Sequence, residues 1–367
     1  VSVFDSVLLI VLRFMFKEKS SMKKNLPLLL AVVLSCLAVS CTNLTPQSSV
    51  DPSTPLVIGK QGSFFVGGHN IESNNLSLVP AYAPSGTIAV EQMYVHYQSP
   101  VSPKRPPLVL IHGCCLTGKT WETTPDGRMG WDEFFVRRGY PTYVIDQVSR
   151  GRSAANPSGI VEVKAGKAQP SALPQVFGAS QEGAWAIFRF GPKYPEVFKG
   201  MQFPLEAQEE FFKQMVPDWL NALPTPNPTV PALSELAQKL NGAVLMSHSQ
   251  SGIFPFQTAA LSTNGIKGIV AVEPGACPDP QSDMKPYIQM PILVVWGDYV
   301  EQSPRWAPRL KLCRAFVAAA NQAGGHAQLV ELNNVGFPGA SHMLMQDKHS
   351  LKIATWLSDW LDENVKP

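Results

Sequence analysis

One stretch has the chemistry of a nucleophile. In AVLMSHSQSG, residues 243–252, an apolar run passes directly into Ser247-His248-Ser249-Gln250-Ser251, and a helical stretch follows. A serine at the tip of a strand-to-helix turn needs small neighbours. The turn is tight, and larger flanking side chains would strike adjacent backbone. Here serine stands where glycine is usual on both sides, so the pattern is small-x-Ser-x-small around Ser249. A hydroxyl is a weak nucleophile until a base takes its proton. Of seven histidines, His342 in GFPGASHM has the right context, after the last expected strand and before the last expected helix. His248 adjoins Ser249, but its side chain should point away. His112 reads as a brace for its own loop, and His69, His96, His326 and His349 read as surface or structural residues. A carboxylate must then hold the imidazole in the tautomer that accepts the serine proton. Glu273, in VAVEPG, ends the strand after the serine strand and is the favoured acid. Asp298 and Glu301 follow the next strand in VVWGDYVEQ and are the alternatives; the position most often used for this role there is Val300.

A second stretch, HGCCLTGKTW from His112 to Trp121, follows another apolar run and suits a loop facing the reaction centre. One backbone N–H of this loop, assigned to Cys114, and the N–H of Gln250 after the nucleophile would bind a developing oxyanion. Only backbone groups are required, so the side chains are free for another use. The expectation is that Cys114 and Cys115 are bonded to each other. Adjacent Cα atoms lie about 3.8 Å apart, closer than ordinary disulfides prefer, so the ring would be strained and the loop rigid. Cys277 and Cys313 are expected to form a second disulfide, tethering the loop that carries Glu273.

Such residues must be presented by a scaffold. Short apolar runs at 88–97, 108–112, 142–146, 243–248, 268–273, 292–297 and 328–332 read as buried strands, with helical spacing at 130–138, 315–322 and 351–361. The alternation predicts an α/β chain with a mostly parallel sheet flanked by helices. The interval 154–240 breaks the rhythm and is rich in aromatics, among them Phe177, Trp185, Phe188, Phe190, Phe203, Phe211 and Trp219. It reads as an inserted cap before the nucleophile strand, with a few of its rings lining an apolar pocket. Asp146, opening the turn DQVSRGRS, is expected to be structural.

The N-terminal residues read differently. Met22-Lys23-Lys24, an apolar run over 26–39 and Ser40-Cys41 form an export signal, with residues 1–21 as an upstream extension. Ala38-Val39-Ser40-Cys41 is similar to a lipoprotein box, so a lipid anchor at Cys41 is the alternative to plain cleavage. Residues 42–60 read as a flexible tether and 61–367 as the folded domain. An exported, periplasmic or extracellular protein is permitted disulfides. A formal net charge of +2 over 367 residues gives no reason to expect nucleic acid. No metal-ligand spacing or phosphate-binding glycine loop is present, so no cofactor is expected. Nothing in the sequence bears on oligomeric state.

The order of strand, HG loop, D-x-x-x-x-G-x-S turn, serine elbow, acid and late histidine resembles that of the α/β-hydrolases, over nearly everything after about residue 86. Within them HGCCLTGKTWETTPDGRMGWDEFF, VIDQVSRGRSA, SHSQSG and VEPG resemble the bacterial esterase 713 group. That resemblance implies hydrolysis of a small-molecule carboxylic ester by a Ser–His–Glu triad, which favours Glu273 over Asp298. Readings of another class are a thiol–disulfide protein using Cys114 and Cys115, and a non-catalytic binding protein on the same scaffold.

Overall fold

The computed structural model describes residues 50–79 and 81–366. The expected export signal and lipoprotein box, the expected upstream extension and the first part of the expected tether lie outside the described residues. The account below concerns the compact unit Pro52–Pro367.

Eight strands form one sheet: β1 (Lys60–Ser73), β2 (Gly86–Ser99), β3 (Leu108–Ile111), β4 (Thr142–Asp146), β5 (Ala243–His248), β6 (Ile266–Val272), β7 (Pro291–Trp296) and β8 (His326–Glu331). Their order is β1-β2-β4-β3-β5-β6-β7-β8. β1 pairs antiparallel with β2 and β2 with β4, while all pairs from β4 to β8 are parallel. The helices are α1 (Trp131–Arg137), α2 (Ser158–Lys164), α3 (Gln181–Ile187), α4 (Gln208–Lys213), α5 (Thr229–Lys239), α6 (Phe254–Leu261), α7 (Ala307–Gln322) and α8 (Ser350–Asn364).

The apolar runs explain the central strands. Every residue of β3 and β5 is buried, as a strand covered on both faces requires. Val109, Ile111, Leu245, Ile269, Ala271, Ile292 and Val294 turn one way and pack with Leu233, Leu236, Phe256 and Phe316 of α5, α6 and α7. The alternate residues Leu110, Val244, Met246, Val270 and Val295 are equally buried on the other face. Parallel strands end together, so the loops after β3, β5, β6 and β7 gather at one edge of the sheet.

All seven expected strands are present, with ends shifted by a few residues. β1 was not expected. It alternates exposed and half-buried residues, contains Gly67 and Gly68, and buries only Val66. Its place comes from pairing along all of β2 rather than from hydrophobic pattern. α7 begins eight residues earlier than its apolar spacing suggests, because Trp306, Pro308 and Arg309 carry no helical periodicity. Residues 154–240 hold α2 to α5 and short 3-10 turns. Several of their aromatics form a cluster, in which Phe190 stacks on Phe203 at 4.1 Å and Phe211 meets Phe188 at 5.2 Å, while Phe198 stacks on Tyr299 instead, at 4.5 Å.

Cys277 and Cys313 are bonded, with Cα atoms 5.2 Å apart and a sequence separation of 36. The bond ties the segment after β6 to α7. On the chain-entropy account a loop of this length stabilises by about 3–4 kcal/mol. Cys277→Ala/Cys313→Ala should therefore lower the melting temperature by about 5 °C. Calorimetry showing no change would remove the stabilising role.

Candidate active site

The site is assembled from strand ends. β5 delivers Ser249, which begins a 3-10 turn, Ser249–Ile253, running into α6. Ser249 sits at φ 58°, a strained conformation for a non-glycine residue. The strain lifts the hydroxyl above the sheet edge, toward the N-terminal end of the following helical turns. Packing fixes it there. A Cβ on Gly113 would lie 2.8 Å from Ser249 Cβ, so the HG loop can approach this closely only with glycine. Ser251, in place of the usual glycine, bonds instead: its hydroxyl donates to the carbonyls of Ile111 and His248 at 3.1 and 3.0 Å.

Ser249 Oγ lies 2.8 Å from His342 Nε2, and His342 Nδ1 lies 2.9 Å from Glu273 Oε2. Glu273 and His342 are fully buried and Ser249 is 5% exposed. Glu273 follows β6 and also has positive φ, at 52°. His342 is packed between rings, 4.3 Å from Trp306 and 5.9 Å from Phe188, and its N–H donates to the Phe188 carbonyl at 3.0 Å. Beside it, Ser341 is held by the buried carboxylate of Asp347, which accepts from the Ser341 N–H at 2.8 Å and its hydroxyl at 2.6 Å.

Burial pulls the His342 pKa down to about 4, outweighing the Glu273 carboxylate that would raise it. For Glu273 burial opposes ionisation, but the Arg189 guanidinium and His342 overcome it and hold the pKa at about 2. Arg189 grips both Glu273 oxygens, with Nη1 at 2.6 Å from Oε2, and the Gly297 N–H donates to Oε1.

The alternative acids are placed elsewhere. Asp298 accepts from the Tyr299 and Gly339 N–H groups at 2.7 and 2.9 Å, and its carbonyl accepts from Arg189 Nε. Glu301 is exposed and pairs with Arg314 at 3.0 Å. His248 turns away from the serine and meets the His342 carbonyl at 2.9 Å. His112 braces the loop: its Nε2 accepts from the Gln147 N–H at 3.0 Å. Asp146 accepts from the Gly118 and Arg152 N–H groups at 2.7 and 2.9 Å, as a structural residue would.

Cys114 and Cys115 carry free thiols, which corrects the expected bond between them. Bridging neighbours would force a strained ring on a peptide whose Cα separation is shorter than disulfides prefer. The loop is fixed by other means. Cys115 adopts φ 60°, its N–H donates to Asp218 Oδ2 at 3.2 Å, and its carbonyl accepts from the Val216 N–H at 2.9 Å. Asp218 in turn pairs with Arg150 at 2.7 Å, both buried, and Arg150 donates to the Gly113 carbonyl at 2.9 Å. Cys114, Cys115 and Asp218 are the only group of three metal-type donors found among the described residues, within 4.8 Å of one another. Asp218 is already engaged by Arg150, Cys115 and the Leu220 N–H, which leaves it poorly placed to hold an ion.

A cavity of about 440 Å³ opens over Ser249, lined by Cys114, Phe177, Ile187, Phe188, Leu220 and Trp306 among others. A larger cavity, about 840 Å³, lies among Ile266, Met290, His326 and Glu363, with none of the candidate site residues on its walls. Sequence reasoning missed Arg189, Asp218 and Trp306. A charged residue between Phe188 and Phe190 was the available signal for Arg189, since an arginine among buried rings demands a partner. Asp218 and Trp306 had no pattern around them.

No protein-family model matches the chain. It is 26% identical over 328 residues to a fungal protein described as "Probable secreted lipase phiG", from Fungal sp. (strain ATCC 74256), covering 74% of this chain and 86% of that protein. A solved structure described as that of a novel bacterial esterase is 59% identical, with a TM-score of 0.85, covering 87% of this chain and 100% of the other. At that identity and coverage, the chain belongs to the family of that bacterial esterase, and it is an α/β-hydrolase and a carboxylic ester hydrolase.

Proposed function

We propose that the protein is an exported serine carboxylesterase that hydrolyses a small-molecule ester through an acyl-enzyme on Ser249. The observation that carries this reading is the continuous relay from Ser249 Oγ through His342 to Glu273, at 2.8 and 2.9 Å, beneath an open cavity. Ser249 Oγ attacks the ester carbonyl carbon, and its proton passes to His342 Nε2. The carbonyl oxygen becomes an oxyanion, held by the N–H groups of Cys114 and Gln250. The C–O bond to the alcohol then breaks, and His342 returns the proton to the departing oxygen. Water loses a proton to His342 and attacks the acyl-enzyme, and Ser249 leaves with that proton restored. One ester and one water give one acid and one alcohol. Glu273 keeps Nδ1 protonated and stabilises the imidazolium that forms at each step.

The HGCC loop, the SHSQSG elbow and VEPG support the esterase 713 resemblance and the acid after β6. Residues 154–240 act as the cap: Phe177, Ala179, Ile187, Phe188 and Leu220 of this segment line the cavity. Export is supported by the signal pattern at 22–41 and by the secreted lipase it resembles.

Ser249→Ala and His342→Ala should each lower kcat by roughly four or more orders of magnitude, with the double variant hardly worse, because the members act as a unit. Near-normal turnover by Ser249→Ala on its best ester would end this reading. Glu273→Gln should cost about a thousandfold or more in kcat/KM. Asp298→Asn should cost far less: its one amide oxygen keeps only one of the bonds from Tyr299 and Gly339, but this side chain bonds to neither Ser249 nor His342.

The pH dependence follows from His342. Only the neutral imidazole accepts the serine proton, so activity is lost as pH falls through the His342 pKa. With that pKa pulled down to about 4, kcat/KM should stay level through pH 6.5 and fall only near pH 4. Brief exposures to each pH during the assay separate titration from unfolding. An acid limb centred at the ordinary histidine value would show that burial does not depress this imidazole.

A further inference from the structure

The cavity over Ser249 has walls of two kinds. Phe177, Ile187, Phe188 and Leu220 form an apolar side, while Arg305 and Arg309 stand on another. Neither arginine has a carboxylate partner among the described residues. The contrast with the arginines beneath is plain: Arg150 pairs with Asp218 and Arg189 with Glu273. Asp218 is the only carboxylate on the cavity wall, and Arg150 already neutralises it. The cavity thus carries two positive charges in excess.

Of the two, Arg309 is held in place rather than trailing in solvent. Arg309 is half-buried, and its Nε donates to the Gly275 carbonyl at 2.8 Å. The Gly275 N–H in turn donates to the Ser249 carbonyl, which ties Arg309 to the nucleophile turn. A second N–H of Arg309 donates to the Arg305 carbonyl. Both guanidiniums lie over the Trp306 ring, at 5.7 Å for Arg305 and 5.3 Å for Arg309, and that ring is the one 4.3 Å from His342. The pair sits at the start of α7, whose first turn has no acidic residue, so the helix dipole adds to the positive potential. Burial and the Arg305 charge pull the Arg309 pKa down, the mark of a cation lacking a counter-ion.

We propose that Arg305 and Arg309 form an anion subsite of this cavity, and that the enzyme prefers esters bearing a carboxylate on the acyl or the alcohol side. The inference rests on Ser249 being the nucleophile. A guanidinium fork matches a carboxylate in two parallel hydrogen bonds, and the apolar wall suits the carbon chain that joins it to the ester. Because Arg305 is exposed, the subsite lies at the cavity mouth and its carboxylate stays partly hydrated. The preference is therefore a matter of rate and selectivity more than of tight binding.

Two pairs of substrates test it with the full chain. Monomethyl adipate against dimethyl adipate places the charge on the acyl side, and acetoxyacetate against ethyl acetate places it on the alcohol side. The quantity read is the ratio of kcat/KM, charged over neutral, within each pair. The wild-type ratio should exceed one in at least one pair and fall as ionic strength rises. In Arg305→Ala/Arg309→Ala that ratio should drop by about tenfold, and Arg305→Lys/Arg309→Lys, which keeps the charge but not the fork, should fall between the two. If the alanine chain does not fold, Arg305→Gln/Arg309→Gln serves in its place. A wild-type ratio below one in both pairs, no turnover of either charged ester, or equal ratios in wild type and the uncharged variant would overturn the proposal. Ser249→Ala is the control for the underlying reading. If it still hydrolyses these esters the nucleophile assignment fails, whereas the effect of the arginines on the ratio remains readable.

Discussion

A carboxylate with no exposure to water stays ionised only if the protein supplies its counter-charge, and Glu273 is in that position. Arg189 supplies it, with a two-pronged contact that the Gly297 N–H completes. Much else at the site depends on this pairing. Were Glu273 protonated, His342 would lose the acceptor that fixes its Nδ1 proton, and the wrong ring nitrogen could face Ser249. A single buried pair is weak evidence for stability, because desolvation consumes much of its attraction. Its value here is the definition of one protonation state. Removing Arg189 would leave an unpaired buried charge, which costs far more than the pair is worth.

Backbone strain does the positioning. Cys115, Ser249, Glu273 and Tyr299 all have φ between 52° and 61°, and each follows the end of a parallel strand. Such residues are held against their preference by the packing beneath them, at about 1–3 kcal/mol each. The strands β3 and β5, wholly buried, and β6 and β7, buried but for one residue each, provide a base rigid enough to bear it. Strand ends can therefore turn sharply and aim side chains at one point, which helices on a looser core could not do.

The sequence was most legible where local pattern and chemistry coincide. Ser249, His342 and Glu273 each sit in a short motif at the end of an apolar run, and the structure brings those three together. The buried parallel strands were also plain, because full burial leaves continuous apolar stretches. β1 was invisible for the opposite reason: an edge strand that buries one residue needs no pattern. The cysteines show a different limit. Two adjacent thiols suggested a bond, yet the loop is held by Asp218, about a hundred residues away in the chain. Long-range ion pairs leave no local periodicity, so Arg189 and Asp218 could be read only as charged residues in an aromatic stretch.

Those two residues share one more property. Both lie within 154–240, and each pairs with a residue outside it: Arg189 with Glu273 after β6, Asp218 with Arg150 after β4. The first pair sets the charge of the proposed acid. The second fixes the loop that presents the Cys114 N–H, through the bonds from Cys115 to Asp218 and from Arg150 to the Gly113 carbonyl. The segment 154–240 is thus part of the electrostatics of the site as well as a wall of its cavity. A segment with that role cannot swing away as a free lid without exposing or unpairing two buried ions. Motion that admits substrate should therefore be confined to parts of the segment beyond these anchors, while Phe188 and Asp218 stay in place, and with them the backbone of Phe177, which exchanges two hydrogen bonds with that of Asp218.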